Sequence, residues 1–257
     1  MKYSHIIENF TWSYSRITTF EMCPYQFFLT YIKPVKKQPL FFSDYGTFIH
    51  KIIEKHLNGE LEENQLVPYY LQNFRTSIHA KAPTQAVFET YFNQGLDYLR
   101  NIHFPYPTPL AVEQRVDFFI DKYPFVGIID CVAEESDGIV ILDNKSRTLK
   151  PRSNRKKPTR SDEELDKYLR QLYLYSAAVK DLYGTYPVKL CFNCFRSCEL
   201  ISEPFLRESF ESAKAWTLSS IERIVQNDEW GPDMDYWKCK YLCDVRDQCD
   251  YWQMNRQ

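Results

Sequence analysis

The apolar positions of this chain change period along its length, and the changes mark out its elements. From Gly46 to Leu57 (GTFIHKIIEKHL), Phe48, Ile49, Ile52, Ile53 and Leu57 recur at helical spacing and build one broad apolar face, with His50 beside it. Upstream, Ser15 to Ile32 (SRITTFEMCPYQFFLTYI) opens on capping hydroxyls and continues at helical spacing. Pro24 should kink or divide it, because proline lacks the N–H that a helix interior needs, and Cys23 sits at that break. Residues 60–100 also read as mostly helical, an insert without identifiable chemistry.

The period then becomes two. Val112 to Ile120, Phe125 to Ala133 and Ile139 to Lys145 read as strands separated by turn clusters at Asp121 to Pro124 and Glu135 to Gly138, which predicts an antiparallel meander. A helix is expected over Asp162 to Tyr183, a strand over Val188 to Phe195 and a helix over Phe205 to Val225. Helix, three-stranded meander, helix and strand make an α/β core whose sheet is covered by helices. With no internal repeat and no low-complexity linker, residues 1–257 are expected to form a single domain.

Composition narrows the class. Hydrophobic residues make up 44% and aromatics 16% of the 257 residues, with seven glycines, a globular balance. No apolar run approaches a membrane span, and MKYSHIIENF lacks the order of a signal peptide, so a soluble, cytoplasmic protein without membrane association is expected. The net charge of −2 advertises no polyanionic partner, so a nucleic-acid site would have to come from local clustering. One such cluster runs from Lys145 to Arg160, where Arg147, Lys150, Arg152, Arg155, Lys156 and Lys157 occur without an acidic residue. The eight cysteines fit ligation or buried thiols better than disulfides in a reducing compartment. Cys131, Cys191, Cys194 and Cys198 lie in or beside apolar strand-like stretches, as buried thiols do.

Candidate chemistry gathers at the strand ends. Asp130 closes the second strand in VGIID, and Asp143 nears the end of the third in IVILDNKS, so a meander brings the two carboxylates together. Lys145, two residues beyond Asp143, projects from the same face. Hard divalent cations take carboxylate oxygens, and a neighbouring ammonium can offset charge developing on a phosphate.

These pieces, in this order, resemble the PD-(D/E)XK nuclease superfamily and within it the RecB-like branch: GTFIH with His50, GIID with Asp130, LDNK with Asp143 and Lys145, and QLYLY with Gln171 and Tyr175. The resemblance implies a restriction-endonuclease-like α/β core and a Mg2+- or Mn2+-dependent deoxyribonuclease acting on DNA by exonuclease or flap-type cleavage, with single-stranded ends favoured. It implies that His50, Asp130, Asp143 and the Asn144 carbonyl hold the metal. Lys145 would be the catalytic lysine, and Gln171 and Tyr175 would organise the site. Glu113, in AVEQRVDFFI, matches an acidic position common in the branch. It lies far upstream of the strand ends and ranks as supporting.

The termini carry a second resemblance. WSYSRITTFEMCPYQFFLTYI is similar to the first helix of the iron–sulfur members of this branch, among them helicase-nuclease nuclease domains and CRISPR-associated RecB-like exonucleases. That similarity implies that Cys23 joins Cys239, Cys243 and Cys249, in CKYLCDVRDQC, around a [4Fe-4S] cluster, with residues 15–32 and 238–252 forming the patch. The spacing is Cx3C where the family more often shows Cx2C, and four thiolates also suit tetrahedral Zn2+. No GxxxxGK[ST] phosphate loop is present, so any unwinding would come from a partner, a helicase or another recombination, repair or CRISPR-adaptation protein. The competing reading is a non-catalytic DNA-binding or assembly component that keeps the fold and the cofactor.

Overall fold

The computed structural model describes residues 2–102 and 108–254. Near the start lie three short helices, α1 (Ser4–Ile7), α2 (Tyr14–Met22) and α3 (Pro24–Phe27), the last running into a π-helical turn over Phe28–Ile32. Then come α4 (Phe41–Leu57), α5 (Glu63–Ser77) and α6 (Gln85–Arg100), followed by strands β1 (Ala111–Ile120), β2 (Tyr123–Glu135) and β3 (Gly138–Lys145). Helix α7 (Arg160–Tyr183) crosses to β4 (Lys189–Cys194), β5 (Glu199–Pro204) and α8 (Arg207–Val225). The C-terminal segment holds α9 (Tyr236–Tyr241), a 3-10 turn at Arg246–Gln248 and α10 (Asp250–Met254).

The strands form one sheet in the order β1-β2-β3-β4-β5, antiparallel except for the parallel β3–β4 pair that α7 connects. The meander is as expected from the sequence. The hairpin strand β5 is a departure: ELISEP alternates weakly, only Ile201 in it is buried, and an edge strand needs no apolar face to pair. Strand β3 is buried along IVIL because helices cover both faces, the reason it reads as a continuous apolar run.

Those faces hold separate clusters. On one side Ile139 and Ile141 of β3 pack with α7, α8 and the N-terminal helices, and on the other Val140 and Leu142 pack with α4, α5 and α6. The long helix α7 is fixed at both ends, by a capping box between Thr159 and Asp162 and by Gly184 at φ 75°, a left-handed position that glycine takes without strain.

The expected break at Pro24 divides α2 from α3. Cys23 is extended there (φ −164°, ψ 109°), Pro24 opens α3, and the Cys23 sulfur accepts the Gln26 N–H at 3.4 Å in the manner of a helix cap. The segment before it is stitched to the sheet: Trp12 N–H donates to the Pro124 carbonyl at 2.7 Å, and Val126 N–H returns to Trp12 at 2.9 Å. Among the described residues no helix is long and apolar enough to cross a membrane.

Candidate active site

Five elements converge at one end of the sheet. Asp143 and Lys145 project from alternate positions at the end of β3, and Lys145 Nζ lies 2.7 Å from Asp143 Oδ2. On α7, Gln171 and Tyr175 stand one turn apart. Gln171 Oε1 accepts from Lys145 Nζ at 3.0 Å, and Gln171 Nε2 donates to the Tyr175 hydroxyl at 3.1 Å. The Tyr175 ring lies directly over Gly127 of β2: a Cβ at residue 127 would sit 2.3 Å from Tyr175 Cε1. This contact gives the glycine of GIID its physical role, close approach of a helix side chain to a strand.

Asp130 is buried beside this pair. The β2–β3 pairing ends at Cys131 and Leu142, so the Asn144 N–H lies beyond the ladder and donates to Asp130 Oδ2 at 2.7 Å. His50 Nδ1, from α4, stands 3.4 Å from the same Asp130 oxygen and 4.0 Å from Glu113 Oε1. Ligand atoms of His50, Glu113 and Asp130 all lie within 4.8 Å of one another. The sequence ranked Glu113 as merely supporting because it lies early in its strand, and the geometry corrects this. In antiparallel pairing the start of β1 meets the end of β2, with Val112 opposite Cys131 and Gln114 opposite Ile129. Glu113 itself takes φ 48°, a left-handed conformation that re-aims its side chain and costs a non-glycine residue on the order of 1 kcal/mol or more.

Electrostatically the carboxylates dominate this group. Burial, and then the Asp130 carboxylate, push Glu113 up to about 7. Asp130 is also pushed above the carboxylate range, by burial and by Asp143, against a smaller opposing pull from His50. Two carboxylates ~5 Å apart repel by about 3 kcal/mol at an effective dielectric of ~20. For Lys145, burial disfavours the ammonium, but the Asp143 ion pair outweighs it and holds the pKa above its ordinary value. Asp143 Oδ2 remains a buried acceptor without an aligned hydrogen bond, since the close Lys145 contact is an ion pair off hydrogen-bonding geometry. An imidazole and two mutually repelling carboxylates, with the lysine-paired Asp143 carboxylate nearby, form a donor set that fits a hard divalent cation. Asp143 faces Lys145 and stands outside the tight group, a difference from the sequence reading, which grouped it with His50 and Asp130.

The helical insert, which carried no legible chemistry, backs the site. Asn144 Oδ1 accepts from Asn193 Nδ2 at 2.8 Å, and Asn193 Nδ2 also donates to the Tyr98 hydroxyl of α6 at 2.7 Å. Arg196 stacks on Tyr91 at 3.7 Å and donates to the Tyr91 hydroxyl, to Gln94 Oε1 and to the Ser146 carbonyl just past β3. Asn193 had a sequence signal, a polar residue inside the apolar LCFNCF strand. Tyr91, Gln94 and Tyr98 had none.

The basic segment is only partly free. Arg147 pairs with Glu164 at 2.6 Å, and Arg152 bridges Asp166 and Glu203 at 2.6 and 2.7 Å, so Arg152 straps the segment to α7 and β5 and does not point to a ligand. Asp162 accepts from the backbone and side chains of both Ser153 and Thr159 and pins the loop at those points. Lys150, Arg155, Lys156 and Lys157 are exposed.

At the termini, Cys23, Cys239, Cys243 and Cys249 line one cavity, and Cys23 Sγ accepts from the backbone N–H of both Gln26 and Asp233 at 3.4 Å. Cys239 lies on α9 and Cys243 just past its C-cap residue Leu242, and both line the cavity. No three of these four sulfurs lie within 4.8 Å of one another. Cys131, Cys191 and Cys194 are buried, whereas Cys198 is exposed.

Comparison with known proteins agrees with this geometry. The chain is 38% identical over 63 residues to a polypeptide of an ATP-dependent helicase/nuclease from Desulforamulus reducens. That match covers 24% of this chain and 4% of the relative, so the chain spans a small fraction of that protein's length. A solved structure of a candidate exonuclease from Eubacterium rectale superposes with a TM-score of 0.50 at 12% identity, covering 96% of this chain and 88% of the other, a likeness of fold. A sequence profile of the PD-(D/E)XK nuclease superfamily matches residues 11–250, and the chain belongs to that superfamily.

Proposed function

We propose that this protein is a Mg2+- or Mn2+-dependent deoxyribonuclease of the RecB-like branch that cleaves phosphodiester bonds near DNA ends by exonuclease or flap-type action. The observation that carries the reading is the assembly of Lys145, Asp143, Gln171 and Tyr175 against the His50, Glu113 and Asp130 group. His50, Glu113 and Asp130 would hold the cation, with Asp143 and the Asn144 carbonyl completing the oxygen donors. A divalent ion there supplies Lewis acidity toward the phosphate and a more acidic bound water.

The chain's own residues do the rest. The Lys145 ammonium, kept protonated by Asp143, donates toward the phosphate oxygen on which charge develops. Gln171 and Tyr175 are positioning residues: the amide fixes the lysine and the tyrosine fixes the amide. Exposed Lys150, Arg155, Lys156 and Lys157, joined by Arg147, lie along the strand backbone of the DNA.

At the termini, the four cysteines hold a [4Fe-4S] cluster in this reading. Two backbone N–H groups aimed at Cys23 Sγ suit a thiolate ligand, and all four cysteines line the same cavity, with Zn2+ as the alternative occupant. With no phosphate loop of its own, the chain works beside a helicase or a recombination, repair or CRISPR-adaptation partner.

The test is an anaerobic preparation assayed with Mg2+ or Mn2+ on labelled linear and circular, single- and double-stranded DNA, alongside Asp143→Asn and Lys145→Met. Metal-dependent cleavage should fall at least ~100-fold in both variants. Undiminished turnover in both rejects the site.

A further inference from the structure

Between the terminal cysteine patch and the candidate active site runs a strip of aromatic rings that begins at Tyr91, which backs the site, and continues outward through rings the metal group does not use. Tyr91, Phe42, Trp237 and Tyr241 follow one another with ring centroids 5.2, 5.9 and 5.6 Å apart. Trp237 is 51% exposed although it stands on a six-residue helix. A large ring left this wet adds little to the core, and an aromatic in that position is suited to a ligand. Phe42 is the hinge of the strip, since it lines the cleft that contains His50, Glu113 and Ser146 and also the adjacent groove of Lys81, Lys240, Tyr241 and Arg246.

The charges along this path favour a polyanion. In the groove Arg246 pairs with the one carboxylate, Asp247, at 3.4 Å, which leaves Lys81 and Lys240 as its excess positive charge. Lys240 Nζ rides 5.2 Å from the Tyr241 ring and 5.3 Å from the Tyr236 ring, and Arg196 stacks on Tyr91 at the cleft end. The rings are tilted against one another, so bases would lie on their outward faces; such a row flanked by cations suits unpaired nucleic acid without reading sequence, because every base offers a π-face. A duplex hides those faces inside its own stack.

From this we infer that Phe42, Trp237 and Tyr241, with Lys240, form a base-stacking track for single-stranded DNA that delivers a strand end past Phe42 into the cleft. The inference rests on the nuclease reading of that cleft, so it is tested by binding, apart from cleavage.

In buffer without divalent metal, the anaerobically purified full chain is titrated against a fluorescent oligothymidylate and a blunt duplex. Trp237→Ala should weaken oligothymidylate binding by about 5- to 100-fold, the worth of one stacked base, and leave duplex binding as it was, while Trp237→Phe should recover most of the loss. Because the substitution lies two residues from Cys239, the wild-type chain supplies a second measurement. Photocrosslinking to iododeoxyuridine-substituted oligonucleotide should map by mass spectrometry to Trp237, Phe42 or Tyr241. Crosslinks confined elsewhere overturn the track, as does unchanged oligothymidylate affinity in Trp237→Ala. A Trp237→Ala effect on self-association instead of on DNA would also overturn it and assign the strip to a protein contact. Tight, Trp237-dependent binding by a chain that never cuts would leave the track standing and remove the nuclease reading alone.

Discussion

Gly127→Ala is the sharpest test of how the site is held. Gly127 lies in a paired strand opposite Val116 and is not among the positive-φ residues, so the backbone accepts alanine. On strand propensity alone the change should stabilise by about 0.5–1 kcal/mol. The Tyr175 ring reverses the sign. The new methyl carbon would meet Tyr175 Cε1 at 2.3 Å, Cζ at 3.0 Å and the hydroxyl at 3.1 Å, whereas carbon contacts settle near ~3.5 Å, so the ring must retreat by roughly 1.2 Å. Tyr175 is only 7% exposed, so overpacking should cost about 1–3 kcal/mol, or on the order of 5 °C in melting temperature for a chain of this size. The displacement passes through Gln171 to Lys145, and a misplacement of ~1 Å at a reacting group commonly costs about 100-fold in rate. Scanning calorimetry and single-turnover cleavage of an end-labelled strand give the two readouts. Repeating both in a Tyr175→Ala background isolates the contact, because there Gly127→Ala should become neutral or stabilising. Wild-type melting and turnover in Gly127→Ala would refute the reasoning.

Three other outcomes follow from the same geometry. Glu113 keeps its proton up to about pH 7 in the folded chain but loses it at ~4.3 when unfolded, and Asp130 is shifted the same way. Their contribution is therefore complete at low pH and lost as pH rises toward 7, so the metal-free melting temperature should fall between about pH 5 and 8, and saturating Mg2+ or Mn2+ should remove that fall. A flat metal-free profile by fluorescence melting would contradict the clustering. Cys23→Ser should lose the brown colour, together with about four irons and four acid-labile sulfides per chain, and melt on the order of 10 °C earlier; stoichiometric zinc without sulfide would reassign the site. Neutralising Arg155, Lys156 and Lys157 together should lower the slope of log affinity against log salt by about 2, whereas Arg152→Ala should leave the slope and lower the melting temperature, because its carboxylate partners are within the protein.

The sequence was most legible where periodicity and chemistry coincide. Asp130, Asp143 and Lys145 sit at ends of strands whose alternation is unmistakable, and Gln171 and Tyr175 share a helix face by spacing alone, so their meeting could be foreseen. Glu113 was undervalued because its nearness to Asp130 depends on antiparallel register and a left-handed backbone, neither of which is local. Arg152 looked like a DNA contact because its partners Asp166 and Glu203 are 14 and 51 residues away. β5 escaped because an edge strand buries too little to alternate.

The fixed contacts of α6 limit how the insert between α4 and β1 can be re-engineered. Tyr91, Gln94 and Tyr98 occupy one helical stripe, and through Arg196 and Asn193 that stripe sets the position of Ser146 and Asn144 on either side of Lys145. The insert is therefore not a cassette that can be exchanged whole. Residues added to the connection at 78–84 are spliced in ahead of the stripe, but a single residue added between Tyr91 and Tyr98 rotates one contact by about 100° away from the other, as the helical repeat requires. Grafting at the first position and not at the second is the route to adding a module beside the cleft while its backing stays in register.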